Sequence, residues 1–326
     1  MKNSKPELYP LKFFPILKKK VWGGSKLRTL LKKNSDQNIG ESWELSGVDD
    51  DISVVSNGSL KGKNIDWLLS EYKNKLVGER VYQKFGNTFP LLFKFIDAAQ
   101  DLSVQVHPED VLAKQRHNSF GKTEMWYILQ ADENARLIVG FNDDYSQNDY
   151  LKALSENRIT EILNSVAVEK GDIFIINPGT VHAIGAGVVL AEIQQTSDIT
   201  YRIYDWDRLG TDGQMRQLHT DLALDAIDYT TVSKKIVNHS KNDSPLHLGE
   251  TQFFAVNKLN LTKPLVRNLD DFSSFTVYMC LEGETVIEAN GFSEIVSKGE
   301  TVLIPAQLKN IKFNTQAASF LEVYIP

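Results

Sequence analysis

The chain has a single cysteine, Cys280, among 326 residues. No internal disulfide can form and no cysteine-rich metal site is possible, so Cys280 reads as a small buried hydrophobe. Long apolar runs are also missing. Near the N-terminus the longest, Phe13 to Leu17, is interrupted by Pro15 and is too short for the core of a signal peptide. Nothing approaches the ~20 consecutive apolar residues of a membrane-spanning helix. Nor is there a basic excess: Lys plus Arg number 36 against 42 Asp plus Glu, for a net charge of -6. Broad nucleic-acid or anionic-membrane binding needs basic patches that displace counterions, so both are excluded as primary functions. An anionic small molecule needs only a few local cations and is not excluded. The expectation from these absences is a soluble, cytoplasmic protein.

What is present is ordinary in bulk: 42% apolar and 24% charged residues, close to the average globular composition. The length allows about two domains, each with its own core. Residues 48–60 are polar and turn-rich and read as a surface loop. From Asn64, the spacing of Ile65, Leu68, Leu69, Tyr72 and Leu76 predicts a helix. A second helical block is expected at about 145–165, with Tyr150, Leu151, Leu154, Ile159, Ile162 and Leu163 on its buried faces. A third is expected at 218–228, with Leu222, Leu224 and Ile227. The remaining long segments read as strands: Pro90–Ile96, Leu102–His107, Glu124–Leu129, Arg136–Phe141, Ile173–Ile176, Val188–Gln194 and Thr200–Tyr204. From about 236 onward no helix is expected, only short strands separated by turns such as Glu282-Gly283 and Asn290-Gly291.

An internal echo organises this pattern. VEKGDIFIINPGTVHAI begins at Val168, and VSKGETVLIPAQLKNIK begins 128 residues later at Val296. Lys170 and Gly171 align with Lys298 and Gly299, Asp172 meets Glu300, and an apolar strand follows in each. The expected architecture is therefore mainly β with helical insertions: two related β-barrels, one within 1–235 and one within 236–326. His182 aligns with Asn310, so a site built on His182 would be missing from the second copy. That copy has no histidine after His247. Its expected role is structural, shielding the first barrel or making a dimer contact.

The residues that carry chemistry lie in the first copy. Gln105 and His107 are two apart on a predicted strand and so project to one face. Glu124 opens another strand-like run, and His182 follows the strand Ile173–Ile176. Two imidazoles, a carboxylate and a neutral oxygen suit Zn²⁺, with Fe²⁺ or Mn²⁺ also possible. Three strong ligands and one weak one leave room for water or substrate, as catalytic metals require. Arg202, on a short strand, can enter the barrel mouth and serve as a fork for phosphate or for a developing oxyanion. His117, His219, His239 and His247 lie outside the motifs and read as solvated. Trp22 and Trp43 read as core, and Trp126 as packing beneath the site.

At the level of motif, Gly171 through His182 and Gln105-Val106-His107 resemble the two metal-binding motifs of the cupin superfamily, whose barrels are jelly rolls. The departures, Gln for a first histidine and Glu124 standing 17 residues after His107, are those of one branch. LSVQVHPED (102–110), GKTEMWYIL (121–129), ESWELSG (41–47) and the long run 177–208 resemble the type I mannose-6-phosphate isomerases, most of all their shorter bacterial form. The resemblance runs from about Trp22 to Tyr229 and continues weakly through the second barrel.

It implies a zinc ion, one per chain, on Gln105, His107, Glu124 and His182, with Arg202 as the active-site arginine. Lys122 matches a pocket lysine, Glu192 and Asp198 match acidic positions of the pocket wall, Ser103 matches a serine near the phosphate, and Arg208 stands where longer members have a lysine. The implied reaction is reversible conversion of mannose 6-phosphate to fructose 6-phosphate through a cis-enediol, with zinc as the Lewis acid. Glu192, Asp198, Lys122 and a metal-bound water are all compatible with the role of base. The implied partner is a phosphorylated hexose, and the chain is expected to be a monomer or homodimer. Two other readings are a non-catalytic sugar-phosphate-binding double barrel and an Fe²⁺-dependent cupin dioxygenase. The first expects no cationic and acidic pocket residues, and the second more histidine.

Overall fold

Strand alternation sorts this chain into layers. On Glu124–Ala131, residues Trp126 and Ile128 face one core while Met125, Tyr127 and Leu129 face another, as a period of two dictates. The structure, a computed structural model, describes residues 5–34, 39–230 and 241–326. The expected division between 235 and 236 and the residue His239 lie outside the described residues.

In chain order the first strands are β1 (Leu11–Lys12), β2 (Ile16–Gly24), β3 (Ile39–Leu45), β4 (Gly47–Val48), β5 (Asp51–Ile52), β6 (Leu91–Ala98) and β7 (Val104–Val106). They are followed by β8 (Glu124–Ala131), β9 (Arg136–Phe141), β10 (Leu163–Ala167), β11 (Ile173–Ile176), β12 (His182–Ile184), β13 (Val188–Gln195) and β14 (Tyr201–Tyr204). The C-terminal part supplies β15 (Leu246–Glu250), β16 (Ala255–Leu261), β17 (Leu265–Asn268), β18 (Thr276–Ala289), β19 (Phe292–Ser297), β20 (Thr301–Ile304), β21 (Asn310–Asn314) and β22 (Ala318–Tyr324). The helices are α1 (Lys26–Thr29), α2 (Ile65–Tyr72), α3 (Asn74–Val77), α4 (Glu79–Phe85), α5 (Asp110–His117), α6 (Gln147–Ser155) and α7 (Thr220–Leu224).

A six-stranded sheet, β11-β8-β13-β6-β2-β3, faces a five-stranded sheet, β10-β9-β12-β7-β14. Between them lie Trp22, Ile96, Trp126, Ile128, Leu137, Phe174 and Leu190, the interior of the first jelly roll. The second jelly roll encloses Leu259, Tyr278, Cys280, Ile287, Phe313 and Phe320, so Cys280 is the buried hydrophobe expected of it. A third layer joins the two. Phe93, Phe95, Met125 and Ile193 from the back of the first barrel meet Phe254, Phe275, Met279 and Leu321 from the second, with α2 to α4 completing the layer. Each such side chain contributes roughly 1.5–3 kcal/mol when buried, so parting the barrels would expose a large apolar face. The N-terminal strand β1 pairs with β20 and so belongs to the second barrel's sheet.

The helical expectations needed correction at their ends. α2 starts where Asn64 caps the Trp67 amide and buries Ile65, Leu68, Leu69 and Tyr72 as expected. It stops at Lys73, whose φ of 52° is left-handed, and Leu76 is buried from the separate α3. The block at 145–165 is α6, opened by a Ser146–Asp149 capping box, then a 3-10 turn at Ile159–Glu161, then β10. Asn157, with φ of 56°, ends the helix, so Leu163 is buried from a strand. In α7 the buried residue is Ala223, while Leu222 is exposed. The 48–60 segment is more than a surface loop, for Val55 and Leu60 are buried in the shared layer. No helix among the described residues is long and apolar enough to cross a membrane.

Candidate metal centre and active site

The pairing of β12, β7 and β14 puts three functional residues in a row. His182 is opposite Gln105 across β12 and β7, and Gln105 is opposite Arg202 across β7 and β14. Directly opposed residues project to the same face, so all three point into the barrel mouth. His107 follows β7 immediately. Glu124 arrives from the other sheet, at the first position of β8, paired with Ile176 and Gln194.

The two imidazoles are oriented by main-chain carbonyls. His107 Nδ1 donates to the Ile199 carbonyl at 2.9 Å, and His182 Nδ1 donates to the Thr180 carbonyl at 2.8 Å. A carbonyl only accepts, so each ring carries its proton on Nδ1 and presents a lone pair at Nε2. Those lone pairs converge on a carboxylate: His107 Nε2 is 3.3 Å from Glu124 Oε1, and His182 Nε2 is 3.8 Å from Glu124 Oε2. Ligand atoms of His107, Glu124 and His182 all lie within 4.8 Å of one another. The Gln105 amide is 3.3 Å from His182 Nε2; half a turn of that amide presents its oxygen instead. His107 Nε2 and Glu124 Oε2 are buried with no hydrogen-bond partner among the described residues. Electron pairs facing each other without a proton between them call for a cation, and the donor set fits a divalent ion.

The protonation states agree with that requirement. Burial, reinforced by Lys122, lowers the His107 pKa to about 3. Burial also lowers that of His182. For Glu124, burial acts in the opposite sense but is outweighed by Lys122, His107 and His182, which hold the carboxyl well below its usual range. One ionised carboxylate and two neutral imidazoles are the states in which these groups bind metal.

Around this centre the barrel interior is polar. Lys122 Nζ is buried, 3.3 Å from Glu124 Oε1. Glu192 is fully engaged, accepting from Trp126 Nε1 at 2.9 Å and pairing with Lys94 Nζ at 2.9 Å. Burial, then the Glu124 charge, raises the Glu192 pKa against the pull of Lys94. Trp126 does pack beneath the site, edge-on to His182 with centroids 5.4 Å apart. Lys94 also donates to Gln194 Oε1 at 2.7 Å and lies over the Trp43 ring. Burial lowers its pKa, but Glu192, Glu41 and Asp198 together overcome this and raise it. Glu41, which accepts from Trp43 Nε1, is drawn down to about 2, because Lys20 and Lys94 outweigh its burial.

Sequence reasoning missed Lys94 and Glu41. A lone lysine inside LLFKFIDA, a strand otherwise suited to burial on both faces, was the available signal. Trp43, read as core, is core and also a wall of this cluster.

Among the described residues Arg202 makes no ion pair. Its Nη1 donates to the Gln217 carbonyl at 2.8 Å, and its Nε is buried without a partner among the described residues. Burial, with Arg216 nearby, lowers its pKa. Asp205 is held instead by Arg208 Nη2 at 2.9 Å and by Arg216 Nε at 2.6 Å, and Arg208 Nη1 donates to the Asp101 carbonyl. Arg216 was another residue the sequence reading missed. Ser103 is buried just before β7, two residues from Gln105. Asp198 is exposed in the turn between β13 and β14. Three histidines read as solvated have partners: His117 Nε2 with Tyr201 Oη at 2.8 Å, His219 Nδ1 with the Arg202 amide at 3.1 Å, and His247 Nδ1 with Asn257 Oδ1 at 3.3 Å.

Fold and site together define a two-barrel cupin in which one barrel carries a metal-ready centre. A family model for the phosphomannose isomerase type I catalytic domain matches residues 11–137, and one for the mannose-6-phosphate isomerase cupin domain matches 245–323. The chain is 35% identical to mannose-6-phosphate isomerase ManA of Bacillus subtilis over 94% of its own length and 96% of that protein's. It is 31% identical to a mannose-6-phosphate isomerase of Streptococcus mutans over 94% of this chain and 95% of the relative. The crystal structure of the mannose 6-phosphate isomerase from Bacillus subtilis superposes with a TM-score of 0.88 at 29% identity, covering 98% of this chain and all of that one. The apo enzyme from Salmonella typhimurium, at 16% identity and a TM-score of 0.75, covers 98% of this chain and all of its own; it shares the fold. The chain belongs to the type I phosphomannose isomerase family. Neither the non-catalytic sugar-phosphate-binding reading nor the dioxygenase reading is favoured.

Proposed function

We propose that this protein interconverts mannose 6-phosphate and fructose 6-phosphate, with one zinc ion held by Gln105, His107, Glu124 and His182. The observation that carries the reading is the convergence of two proton-free Nε2 atoms on an ionised, buried Glu124, in a chain whose relatives are named for this reaction along nearly their whole length. When bound, the ion supplies Lewis acidity toward the sugar oxygens at carbons 1 and 2.

The chain's own residues account for the rest. Moving a proton between those carbons transiently places negative charge on a sugar oxygen. Arg202, in the same row as Gln105 and with an unpartnered Nε, is positioned to stabilise it. Glu192 already receives hydrogen bonds on both oxygens, so it orients Trp126 and Lys94 rather than carrying the proton. Lys122, buried beside Glu124, is our proposed proton carrier. Asp198 forms part of the rim. Ser103, two residues before Gln105, and Arg208 are proposed for the phosphate end, where Arg208 and Arg216 leave a positive excess over Asp205. We also propose that 1–235 forms the catalytic unit and 236–326 a supporting one.

The test is formation of fructose 6-phosphate from mannose 6-phosphate in deuterated water. Arg202→Ala should lower turnover by about 10²–10³-fold while retaining metal. Lys122→Met should abolish solvent deuterium at the transferred position, and Glu192→Gln should only reduce the rate. Near-normal turnover in Arg202→Ala would remove that residue from the mechanism.

A further inference from the structure

Arg202 owes its position to an unusual main-chain arrangement. Among the described residues β14 is the last strand of its sheet, paired on one side with β7 and with no strand on the other. Both main-chain groups of Arg202 turn to the open side, and both are taken by one residue. The His219 amide donates to the Arg202 carbonyl at 2.7 Å, and the Arg202 amide donates to His219 Nδ1 at 3.1 Å. An amide only donates, so Nδ1 must be the unprotonated nitrogen and the ring is neutral with its proton on Nε2. A third tie runs from Arg202 Nη1 to the Gln217 carbonyl. The segment 217–219 thus stands in for the missing neighbouring strand.

The choice of residue is informative. His219 occupies the position before α7, where Ser, Thr, Asp or Asn would cap the helix, yet its side chain makes no capping bond. The imidazole is spent on Arg202 instead. Its main chain is rooted in α7, through the Ala223 amide donating to the His219 carbonyl. α7 is in turn tied to α5 by Arg116 donating to the Leu222 carbonyl, and α5 leads directly into Gly121 and Lys122.

We propose that His219 is a positioning residue: its neutral imidazole substitutes for a strand partner and fixes the backbone from which Arg202 reaches the reacting sugar. This rests on the role proposed above for Arg202. Without the acceptor, the end of β14 can shift, and displacements of about 1 Å cost on the order of 10²-fold in turnover.

The experiment compares His219→Ala with His219→Asn, whose Oδ1 is attached as Nδ1 is and can take its place. Hydrogen exchange at the Arg202 amide, followed by mass spectrometry, is measured alongside kcat, KM and bound metal. In His219→Ala the amide should exchange faster and kcat should fall at least about ten-fold, with KM and metal content near the parent values. His219→Asn should restore both amide protection and most of kcat. The proposal is overturned if His219→Ala keeps the parent kcat, or if His219→Asn restores protection without restoring turnover. The exchange measurement needs no substrate, so loss of the clamp is detected even if the protein fails to isomerise mannose 6-phosphate.

Discussion

The two barrels share a frame down to single hydrogen bonds. In the first, the Gly171 amide donates to the Ile128 carbonyl and the Glu169 amide to Asp172 Oδ2, each at 2.8 Å. In the second, the Gly299 amide donates to the Cys280 carbonyl and the Ser297 amide to Glu300 Oε2, again at 2.8 Å. Following the strand registers from these anchors, Glu192 beside Trp126 and Lys94 corresponds to Glu322 beside Tyr278 and Asn257. Both barrels therefore bury a carboxylate at the same place. They differ in how it is satisfied and in what surrounds it. Glu322 receives Arg267 through two nitrogens, Tyr278 Oη and Asn257 Nδ2, all within 2.9 Å. At the positions of Gln105 and His182 stand Asn268 and Asn310, both exposed, and at that of Glu124 stands Thr276. In the second barrel a guanidinium neutralises that carboxylate, as the Lys94 ammonium does for Glu192 in the first. The first adds a second buried carboxylate, Glu124, whose Oε1 meets Lys122 while its Oε2 and the two imidazole Nε2 atoms face one another with no proton between them. Chemistry resides where acceptors outnumber the donors supplied by the fold.

The sharpest way to break this comparison is to remove a ligand from one barrel and its counterpart from the other. His182→Ala should lose metal and at least about 10³-fold in turnover, by elemental analysis and steady-state kinetics, since the metal and the geometry it imposes go together. Asn310→Ala should change neither. Next in size, Arg267→Met strands Glu322 as a buried charge and should lower the unfolding free energy by about 3–5 kcal/mol in urea titrations. The double change Arg267→Met with Glu322→Leu should recover most of it, while kcat per folded molecule stays at the parent value throughout.

Acid should also distinguish the barrels. The unfolded His107 takes up a proton near pH 6.5, whereas the folded one resists until about pH 3. The stability contributed by the neutral ring is thus complete above pH 6.5 and is lost as pH falls toward 3. Metal-free protein should therefore lose stability on acidification through this window, and His107→Gln should flatten that slope. The smallest effects concern the shared turns. Gly171 and Gly299 have φ of 97° and 84°, so alanine at either costs roughly 1–2 kcal/mol. At Gly299 the added Cβ would also lie 2.4 Å from the Leu31 carbonyl oxygen, whereas at Gly171 only Tyr127 Oη comes near, at 3.9 Å. Gly299→Ala should be the more destabilising of the two in thermal melts.

Much of the frame was legible because local pattern and global pairing agree. The echo and the strands β8, β9 and β11 follow from period-two alternation and tight turns, whereas the gathering of His107, Glu124 and His182 from two sheets was carried by the resemblance to the family. What escaped depended on the rest of the fold. The expected helix at 64–76 is cut because Lys73 turns left-handed to aim α3 at the shared layer. Leu163 carries helical spacing but is claimed by β9 as a strand partner. α5 buries little beyond Ala113 and leaves Val111 exposed, so it offers no periodic signal. Lys94 matters through Glu192 and Gln194, about a hundred residues away, and Arg216 and His219 through Asp205 and Arg202 across a loop, which spacing alone does not reveal.

The most direct test of this account is to titrate zinc into metal-free protein while following fructose 6-phosphate formation from mannose 6-phosphate. Turnover should rise in proportion to added metal and level off at one equivalent per chain, because among the described residues only His107, Glu124 and His182 cluster as metal ligands. Full zinc occupancy without turnover, undiminished turnover in metal-free protein, or a requirement for a second equivalent would contradict it.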